Sequence, residues 1–390
     1  MRNSAAVKRE AKSPDRAPVR SYVVAPPDTI LFASVAALVA IGLVMVFSAS
    51  SATAYADYGD VAFYVKRQFI WLIVGLIAAF AAYRMDYQKL KKPAPYLLLA
   101  AAIALVLVFV PHIGLGANGG RRWIGFSAVS LQPSEFAKLA LVVYLAAVLS
   151  VRGERITSLA RGLFPLCVPV LILAVLVLKE PDMGTASLLI FTAFAMFFAA
   201  GARLSHLVAI ALVTVPFAAL TVLASPYKRA RVFAFWDPWK DPQNTGFHIV
   251  QSLLALGSGG IFGVGLGASR AKFFYLPEQY TDFIFSVLGE ELGLIGALAV
   301  VALFVVFAYR AIKIAIAAPD RFGYFLAIGC TAVIVIQAFV NIGVVTSSWP
   351  VTGVPLPFIS FGGSSLIVNL IAVALIANVG RYRRVDPQKP

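Results

Sequence analysis

The stretch YLPEQYTDFIFSVLGEELG, from Tyr275 to Gly293, places three carboxylates at the start of an apolar run that continues as LIGALAVVALFVVFAYR. Asp282 precedes the run, and the pair Glu290–Glu291 lies about two helical turns further along. An apolar run of this length predicts a membrane-spanning helix. Ionisable groups at membrane depth cost about 2.5–3.5 kcal/mol each, so they face a bundle interior or water. The stretch therefore predicts a helical membrane bundle whose carboxylates point away from lipid.

The composition of the whole chain supports this class of protein. Of its 390 residues, 60% are hydrophobic and only 13% are charged. The net charge of +15 comes from short basic clusters between apolar runs, a pattern that orients a multi-span protein and does not form a nucleic-acid-binding face. Cys167 and Cys330 both lie inside apolar runs. This placement offers no disulfide framework and no CxxC metal site, so we interpret both as packing residues.

Apolar runs of membrane length predict an all-α polytopic fold with ten transmembrane helices. The runs lie near 29–50, 68–83, 95–111, 134–150, 163–178, 185–201, 206–224, 282–309, 324–345 and 362–380. A further segment, Phe247 to Leu266, is rich in glycine, which predicts a broken or re-entrant element and not an eleventh span.

The basic residues predict the orientation. With ten spans, the segments on the side of both termini hold most of the Lys and Arg, whereas the basic residues of the other side gather in one long loop, 225–281, between helices 7 and 8. Long loops count least in the positive-inside rule, so both termini are predicted to be cytoplasmic. The prediction comprises a disordered cytoplasmic tail over 1–27 without a cleavable signal peptide, a membrane domain over 28–381 and a second cytoplasmic tail over 382–390.

Two motifs on the predicted outer face combine cations with other polar groups. GGRRWIGFSAVSLQPSE, from Gly119, places Arg121 and Arg122 beside Trp123. Guanidinium groups bind phosphates in a bidentate manner and an indole stacks on a ring or a lipid, although an interfacial Trp anchor with basic neighbours is an equal alternative. Glu135 and Lys138 begin the fourth helix on one face, and the alternative there is an internal ion pair that holds helices together.

Three further segments complete the predicted site. KEPDMGT carries Lys179, Glu180 and Asp182, where a capping turn is the alternative. For Asp282 the alternative is an N-cap, and for the pair Glu290–Glu291 it is hydrogen bonding to broken backbone. PVTGVPLPFISFGGSS, from Pro350 to Ser365, predicts an irregular backbone path of the kind that is tolerated at membrane depth only beside a cavity. It contains Ser360, Gly362 and Gly363, which are predicted to support the site. Together these segments predict one outward-facing site.

The same segments resemble a known family. The residues that carry the resemblance are GLVMVFSASS (Gly42–Ser51), RRWIGF…QPSEFAK (Arg121–Lys138), EPDMGTA (Glu180–Ala186), LPEQYTDFIFSVLGEELG (Leu276–Gly293) and NIGVV…PVTGVPLPFISFGGSS (Asn341–Ser365). Over roughly 28–381 the chain is similar to the SEDS proteins (shape, elongation, division and sporulation), the FtsW, RodA and SpoVE group, with the FtsW/SpoVE-like branch favoured. It departs from the family pattern at Tyr280, where His is frequent, at Phe361, where Tyr is usual, and at Ser347–Trp349.

The resemblance implies a peptidoglycan glycosyltransferase that polymerises lipid II at the outer face of the bacterial cytoplasmic membrane. It also implies a class B penicillin-binding protein as transpeptidase partner, together with other divisome or elongasome membrane proteins. The family's essential acidic residue falls on Asp282 and its outer-loop Trp on Trp123.

The implied chemistry needs few groups. A hydroxyl nucleophile needs a base, for which Asp282 is the candidate, and a leaving pyrophosphate needs positive charge but no general acid. The candidate diphosphate contacts are Arg121, Arg122, Lys138, Lys179, Arg270 and Lys272. A divalent cation, Mg²⁺ or Mn²⁺, bound by Asp282 is an alternative source of that charge.

Two other function classes fit a polytopic protein with a charged site. The first is a lipid II flippase, but the sequence shows no inverted repeat of hydropathy, and its charges gather at the outer side and not at the midplane. The second is a non-catalytic scaffold for a transpeptidase, which would not need Asp282.

Overall fold

The computed structural model of the chain describes residues 22–24, 26–117, 120–126, 129–272 and 276–384. The predicted tail over 1–27 lies mostly outside the described residues, as do residues 385–390 of the second predicted tail.

Within the described residues, the chain forms twelve α-helices. They are α1 (Thr29–Tyr58), α2 (Phe63–Arg84), α3 (Ala94–Leu107), α4 (Pro133–Arg152), α5 (Phe164–Lys179), α6 (Met183–Ala199), α7 (Leu204–Leu223), α8 (Pro226–Trp236), α9 (Phe247–Gly259), α10 (Ile284–Ile316), α11 (Arg321–Val345) and α12 (Gly363–Arg381).

Seven of the helices in the described ranges are long and apolar enough to cross a membrane: α1, α2, α4, α5 counted from Leu159, α10, α11 and α12. The prediction of a helical, multi-pass membrane protein is thereby confirmed. Three other predicted spans coincide with α3, α6 and α7, whose apolar helical stretches are shorter than 18 residues. The count of ten spans therefore stays a prediction.

Short strands occur at two places. β1 (Tyr22–Val24) pairs antiparallel with β5 (Tyr382–Arg384), next to the first and last helices. Between α3 and α4, β2 (Gly114–Ala117), β3 (Gly120–Phe126) and β4 (Val129–Leu131) form a three-stranded antiparallel sheet. This sheet was not predicted from the sequence. Its strand β3 carries Arg121, Arg122 and Trp123, which were predicted to lie in a loop.

Helix α12 forms the centre of the bundle. Its polar residues Ser365, Asn369 and Asn378 are all buried, which places this helix away from lipid. The Asn378 amide donates to the carbonyl oxygens of Ala82 at 2.9 Å and Tyr83 at 2.8 Å, near the end of α2. These bonds satisfy carbonyl groups that have no partner within α2.

Helix α10 is broken inside the opening stretch of sequence. Gly293 has φ of 68°, a left-handed conformation that favours glycine, and it divides α10 in two. The segment that follows α9 lies against this break, since the Val264 amide donates to the Glu290 carbonyl at 3.0 Å and the Leu294 amide to the Gly260 carbonyl at 2.9 Å. The structure thus agrees with the prediction that 247–266 is interrupted: α9 ends at Gly259.

Candidate functional site

Asp282 lies in the turn immediately before α10 and is partly buried. The helix begins at Ile284, and its capping residue is Phe283, which forms no side-chain capping bond. The alternative that Asp282 is an N-cap is therefore wrong. The carboxylate instead lies beside the loop after α11, because a Cβ atom added at Gly353 would be 3.5 Å from its Oδ2.

Two neighbouring elements hold this turn in place. The Asn341 amide, on α11, donates to the Asp282 carbonyl at 2.7 Å and to the Val354 carbonyl at 2.8 Å. The Ser360 hydroxyl donates to the Thr281 carbonyl at 2.6 Å. The backbone of Thr281 and Asp282 is thus held by α11 and by the 350–362 loop.

The KEPDMG turn packs against the same loop. A Cβ atom at Gly184 would lie 2.6 Å from the Thr352 carbonyl oxygen. Asp182 caps α6, since its carboxylate accepts from the Thr185 amide at 2.9 Å and the Thr185 hydroxyl at 2.8 Å. The capping alternative is confirmed for Asp182. The Gln132 amide reaches the same carboxylate at 3.4 Å and so connects the turn to the start of α4.

Arg122 ties the sheet to this turn. Its Nε donates to the Glu180 carbonyl at 3.0 Å and its Nη2 to the Pro181 carbonyl at 2.6 Å. The partly buried guanidinium is therefore engaged by backbone. Arg121, its neighbour on β3, is exposed, and Trp123 is partly buried on the same strand.

Glu180 is an unusual buried acid. Its side chain is 0% exposed, and neither carboxyl oxygen has a hydrogen-bond partner in the described part of the chain. Burial, reinforced by the nearby Asp182 carboxylate and opposed by Arg122, raises the pKa of Glu180 to about 8. Glu180 is therefore mostly neutral at pH 7.

Glu135 and Lys138 form an internal ion pair. Their side chains are 2% and 1% exposed, and the Lys138 Nζ lies 2.9 Å from Glu135 and donates to Gln337 Oε1 at 2.6 Å. Gln337 in turn donates to the Pro355 carbonyl at 2.9 Å. The pair thus connects α4 with α11 and the 350–362 loop. The structure does not place Lys138 among the accessible cations predicted to contact a diphosphate, because its ammonium is buried and occupied.

The deeper glutamates bind backbone, as the alternative for them predicted. Glu290 accepts from the Ser269 hydroxyl, from the Arg270 amide at 2.9 Å and from the Ala271 amide at 3.3 Å. Glu291 accepts from the Ser269 amide at 3.4 Å. It also accepts from the Ser48 hydroxyl at 2.6 Å, a bond that brings the GLVMVFSASS motif to α10.

The loop that these glutamates hold carries the last two predicted cations. Lys272 is 6% exposed and lies 4.0 Å from Glu291, so it is internal as well. Arg270 is exposed, as is Lys179 at the end of α5. The predicted cations that remain accessible are therefore Arg121, Lys179 and Arg270.

The predicted supporting glycines approach other elements closely. A Cβ atom at Gly363 would lie 2.6 Å from the Trp71 indole, and the Gly362 amide donates to Gln68 Oε1 at 3.3 Å. Gly42 plays the same part on α1, where an added Cβ atom would lie 2.3 Å from the Phe358 carbonyl oxygen. The absence of a side chain at Gly42 permits α1 to pack against the loop beside Asp282, and its absence at Gly363 permits the start of α12 to pack against α2.

Two departures from the family pattern contact each other. The rings of Tyr280 and Phe361 lie 5.9 Å apart, and the Phe361 amide donates to the Tyr280 carbonyl at 2.9 Å. The Tyr280 hydroxyl donates to the Tyr64 hydroxyl at 3.1 Å. These residues form one aromatic cluster that backs the turn leading to Asp282.

Two residues that hold the site from α11, Gln337 and Asn341, were not predicted from the sequence. Both are polar residues inside a predicted span, four positions apart and hence on one helix face. The rule that we applied to carboxylates at membrane depth would have found them, since buried amides also need partners.

The fold and the site together define a multi-pass helical membrane protein with a carboxylate at one end of its bundle. Several of the motifs described above meet around this carboxylate. The chain belongs to the FtsW/RodA/SpoVE family of cell cycle proteins, whose model matches residues 28–385.

Curated relatives are similar over nearly their whole length. Stage V sporulation protein E of Bacillus subtilis is 45% identical over 358 residues, covering 92% of this chain and 98% of that protein. A probable peptidoglycan glycosyltransferase FtsW of Geobacter metallireducens is 44% identical over 360 residues, covering 92% of this chain and 96% of that protein.

Solved structures show the same fold. A chain from a peptidoglycan synthase complex, studied for coordination of polymerization and crosslinking, has a TM-score of 0.75 at 30% identity and covers 91% of this chain and 98% of its own length. The rod shape determining protein RodA of Thermus thermophilus has a TM-score of 0.67 at 30% identity, covering 91% of this chain and 97% of its own length.

Proposed function

We propose that this chain is a peptidoglycan glycosyltransferase that polymerises lipid II into glycan strands, with Asp282 as its general base. Peptidoglycan glycosyltransferase is the activity for which several relatives at 41–44% identity are named. The observation that carries the assignment of the base is the placement of Asp282. Asp282 is only partly buried. Asn341 holds its carbonyl and Ser360 holds the carbonyl of the preceding Thr281, so the turn is held firmly while Asp282 is still accessible.

The proposed reaction is a single displacement at the anomeric carbon of the donor sugar. Asp282 accepts the proton of the acceptor hydroxyl, and the hydroxyl oxygen forms the new glycosidic bond. The bond from the anomeric carbon to the lipid pyrophosphate breaks, and the pyrophosphate leaves with the electron pair. Because the leaving group is a stable anion, one carboxylate and a set of cations are sufficient.

The accessible cations Arg121, Lys179 and Arg270 are the candidates to stabilise the departing pyrophosphate. Arg122 holds the 180–181 turn through two carbonyl groups and so acts on the shape of the site. Trp123, partly buried on β3, is placed to pack on a sugar or on the lipid.

A divalent cation is the alternative source of positive charge. In the described part of the chain, no group of three or more His, Cys, Asp or Glu side chains is arranged as a metal site. A Mg²⁺ or Mn²⁺ ion at this site would therefore take Asp282 together with phosphate oxygens of the substrate, as Mg²⁺ does in many phosphate-processing sites.

The membrane orientation and the partner belong to the same proposal. Both termini are cytoplasmic and the 225–281 loop faces outward, because the basic residues gather on the side of the termini. A class B penicillin-binding protein would crosslink the strands that this chain makes. The similarity to a chain from a complex that couples polymerization and crosslinking supports this pairing.

The test compares the wild-type protein with Asp282→Asn and Asp237→Asn, each purified and supplied with lipid II, with and without Mg²⁺ or Mn²⁺. Asp237 is an exposed acid in the 225–281 loop and is the matched control. We expect Asp282→Asn to lose polymer by at least about a hundredfold, as is typical for loss of a general base, and Asp237→Asn to retain it. Near wild-type polymer from a folded Asp282→Asn protein would exclude Asp282 as base. Lipid II movement between leaflets without any polymer would instead identify a flippase.

A further inference from the structure

The bundle contains a second concave site at the end opposite Asp282. A cavity of about 330 Å³ lies where α4 and α6 end and α11 begins, and its lining includes Gly153, Thr157, Ala200, Arg321 and Tyr324. Arg321 and Asn341 are twenty residues apart on the same helix, so this cavity is about 30 Å from the Asp282 turn. The cavity thus has no part in the proposed transfer reaction.

Arg321 supplies a positive charge to this cavity, and no acidic side chain in the described part of the chain forms an ion pair with it. Its side chain is exposed. A Cβ atom at Gly153 would lie 3.4 Å from Arg321 Nη1, which places the guanidinium over the turn that follows α4. The absence of a side chain at Gly153 leaves room for the guanidinium at the cavity wall.

The neighbouring acid does not neutralise Arg321. The Asp320 carboxylate caps α11, where it accepts from the Phe322 amide at 2.9 Å and the Gly323 amide at 3.0 Å, and it also accepts from the Tyr87 hydroxyl. The helix amides are therefore occupied by Asp320, and the guanidinium is the group left to bind an anion.

Other described charged side chains on the surrounding elements are also cations. The Arg152 guanidinium, at the end of α4, donates to the Arg161 carbonyl at 3.1 Å and the Gly162 carbonyl at 2.6 Å. Arg203 is exposed two residues after Gly201, which lines the cavity. Among the described charged side chains around the cavity, Arg152, Arg203 and Arg321 outnumber the one acid, Asp320, and this excess of positive charge favours an anion.

The rest of the lining is amphipathic. Leu149, Ile156, Ala200 and Phe325 provide apolar surface, and Thr157 and Tyr324 bring hydroxyl groups. A guanidinium matches the geometry of a phosphate and binds it in a bidentate manner. The apolar surface suits the organic part of a phosphate ester. The cavity also lies at the ends of three helices, the level at which lipid phosphates are found.

We propose that this cavity is a phosphate-ester binding site organised by Arg321. Its ligand is either the headgroup of an anionic phospholipid or a soluble phosphate ester, because both present the same group to the guanidinium.

The test measures binding to the full-length protein in detergent by native mass spectrometry. The probes are dioleoylphosphatidylglycerol, with dioleoylphosphatidylcholine as the comparison lipid, and glycerol 3-phosphate. The variants are Arg321→Gln, which removes the charge, Arg321→Lys, which keeps the charge but loses bidentate geometry, and Ala200→Leu, which fills the cavity. Lys313→Gln is the matched control, since Lys313 is an exposed cation near the same end of the bundle that does not line the cavity.

We expect Arg321→Gln and Ala200→Leu to weaken binding of the phosphatidylglycerol probe about tenfold. Arg321→Lys should bind this probe with an affinity between those of these variants and the wild type, and Lys313→Gln should bind it as tightly as the wild type does. Competition by glycerol 3-phosphate would identify a soluble ester as a sufficient ligand, whereas binding of the lipid alone would identify the membrane as the source. The proposal would be overturned if phosphatidylglycerol and glycerol 3-phosphate each bound Arg321→Gln and Ala200→Leu as tightly as they bind the wild type.

Discussion

Glu180 shows at the scale of one residue how burial changes chemistry within the site. Its carboxyl group is fully buried without a hydrogen-bond partner among the described residues, and its pKa rises from 4.5 to about 8. Charging such a group inside the protein is unfavourable, so the folded protein holds this proton where the unfolded chain releases it. Glu180 therefore makes the stability of the fold depend on pH.

The sign of this dependence follows from the direction of the shift. Between about pH 4.5 and 8 the folded state binds more protons than the unfolded state, so the free energy of unfolding falls as pH rises. We expect Glu180→Gln, which keeps the shape but cannot ionise, to lose this slope. The free energy of unfolding of the variant should exceed that of the wild type by an amount that grows up to about pH 8 and then levels off. That final difference should be on the order of a few kcal/mol.

The measurement is thermal unfolding of the purified protein in detergent at pH values from 5 to 9. Asp241→Asn is a control, because Asp241 is an acid in the 225–281 loop whose pKa lies below its usual value owing to hydrogen bonds from Asn244 and the Thr245 amide. A wild-type slope that persists unchanged in Glu180→Gln would show that Glu180 is not its source.

At the scale of elements, the Glu135–Lys138 pair joins α4 to α11 and to the loop beside Asp282. A buried ion pair contributes little net stability, but removal of one partner leaves an unpaired charge inside the protein. We expect Lys138→Met to lower the free energy of unfolding by about 3–5 kcal/mol. The double variant Glu135→Gln/Lys138→Met should recover much of that loss, because no buried charge remains.

Lys66→Met is the matched control for this prediction. Lys66 pairs with Asp60 at 2.7 Å, but the two side chains are 65% and 39% exposed. Water screens such a pair, so its loss should leave the free energy of unfolding nearly unchanged. Thermal unfolding of the four proteins provides the comparison, and equal losses for Lys138→Met and Lys66→Met would contradict the internal role of Lys138.

At the scale of the whole molecule, the two ends of the bundle differ in chemistry. One end holds Asp282, and the other holds the Arg321 cavity. Our proposal places the first end outside the cell. Cysteines introduced at exposed positions test this directly: Gln243→Cys in the 225–281 loop should react with a membrane-impermeant maleimide on intact cells, and Lys91→Cys should react only after permeabilisation.

The native thiols do not disturb this labelling experiment, because Cys330 is fully buried and Cys167 lies inside a membrane-length helix. Reaction of Lys91→Cys in intact cells, with Gln243→Cys protected, would reverse the proposed orientation and with it the location of the site.

The sequence by itself determined the class of fold and the family, and the resemblance to that family singled out Asp282 as the candidate base. The class of fold depends on a local pattern, since apolar runs predict helices, whereas the position of Asp282 alone also suited an N-cap. The sequence also predicted that the segment 247–266 is broken or re-entrant, because a cluster of glycines destabilises any helix. It also predicted ten spans, and this count stays a prediction because α3 and α6 are apolar helices shorter than 18 residues.

Only the tertiary structure decided what each polar residue does. In the sequence, Lys138, Lys272 and Arg270 are equivalent as candidate cations. In the structure, the side chains of Lys138 and Lys272 are buried and paired, whereas Arg270 is exposed. Asp282 is suited to an N-cap by its sequence position, but the helix begins two residues later and α11 holds the turn instead. The physical reason is that exposure and hydrogen-bond partners depend on residues distant along the chain, such as Gln337 and Asn341, which no local pattern connects to the site.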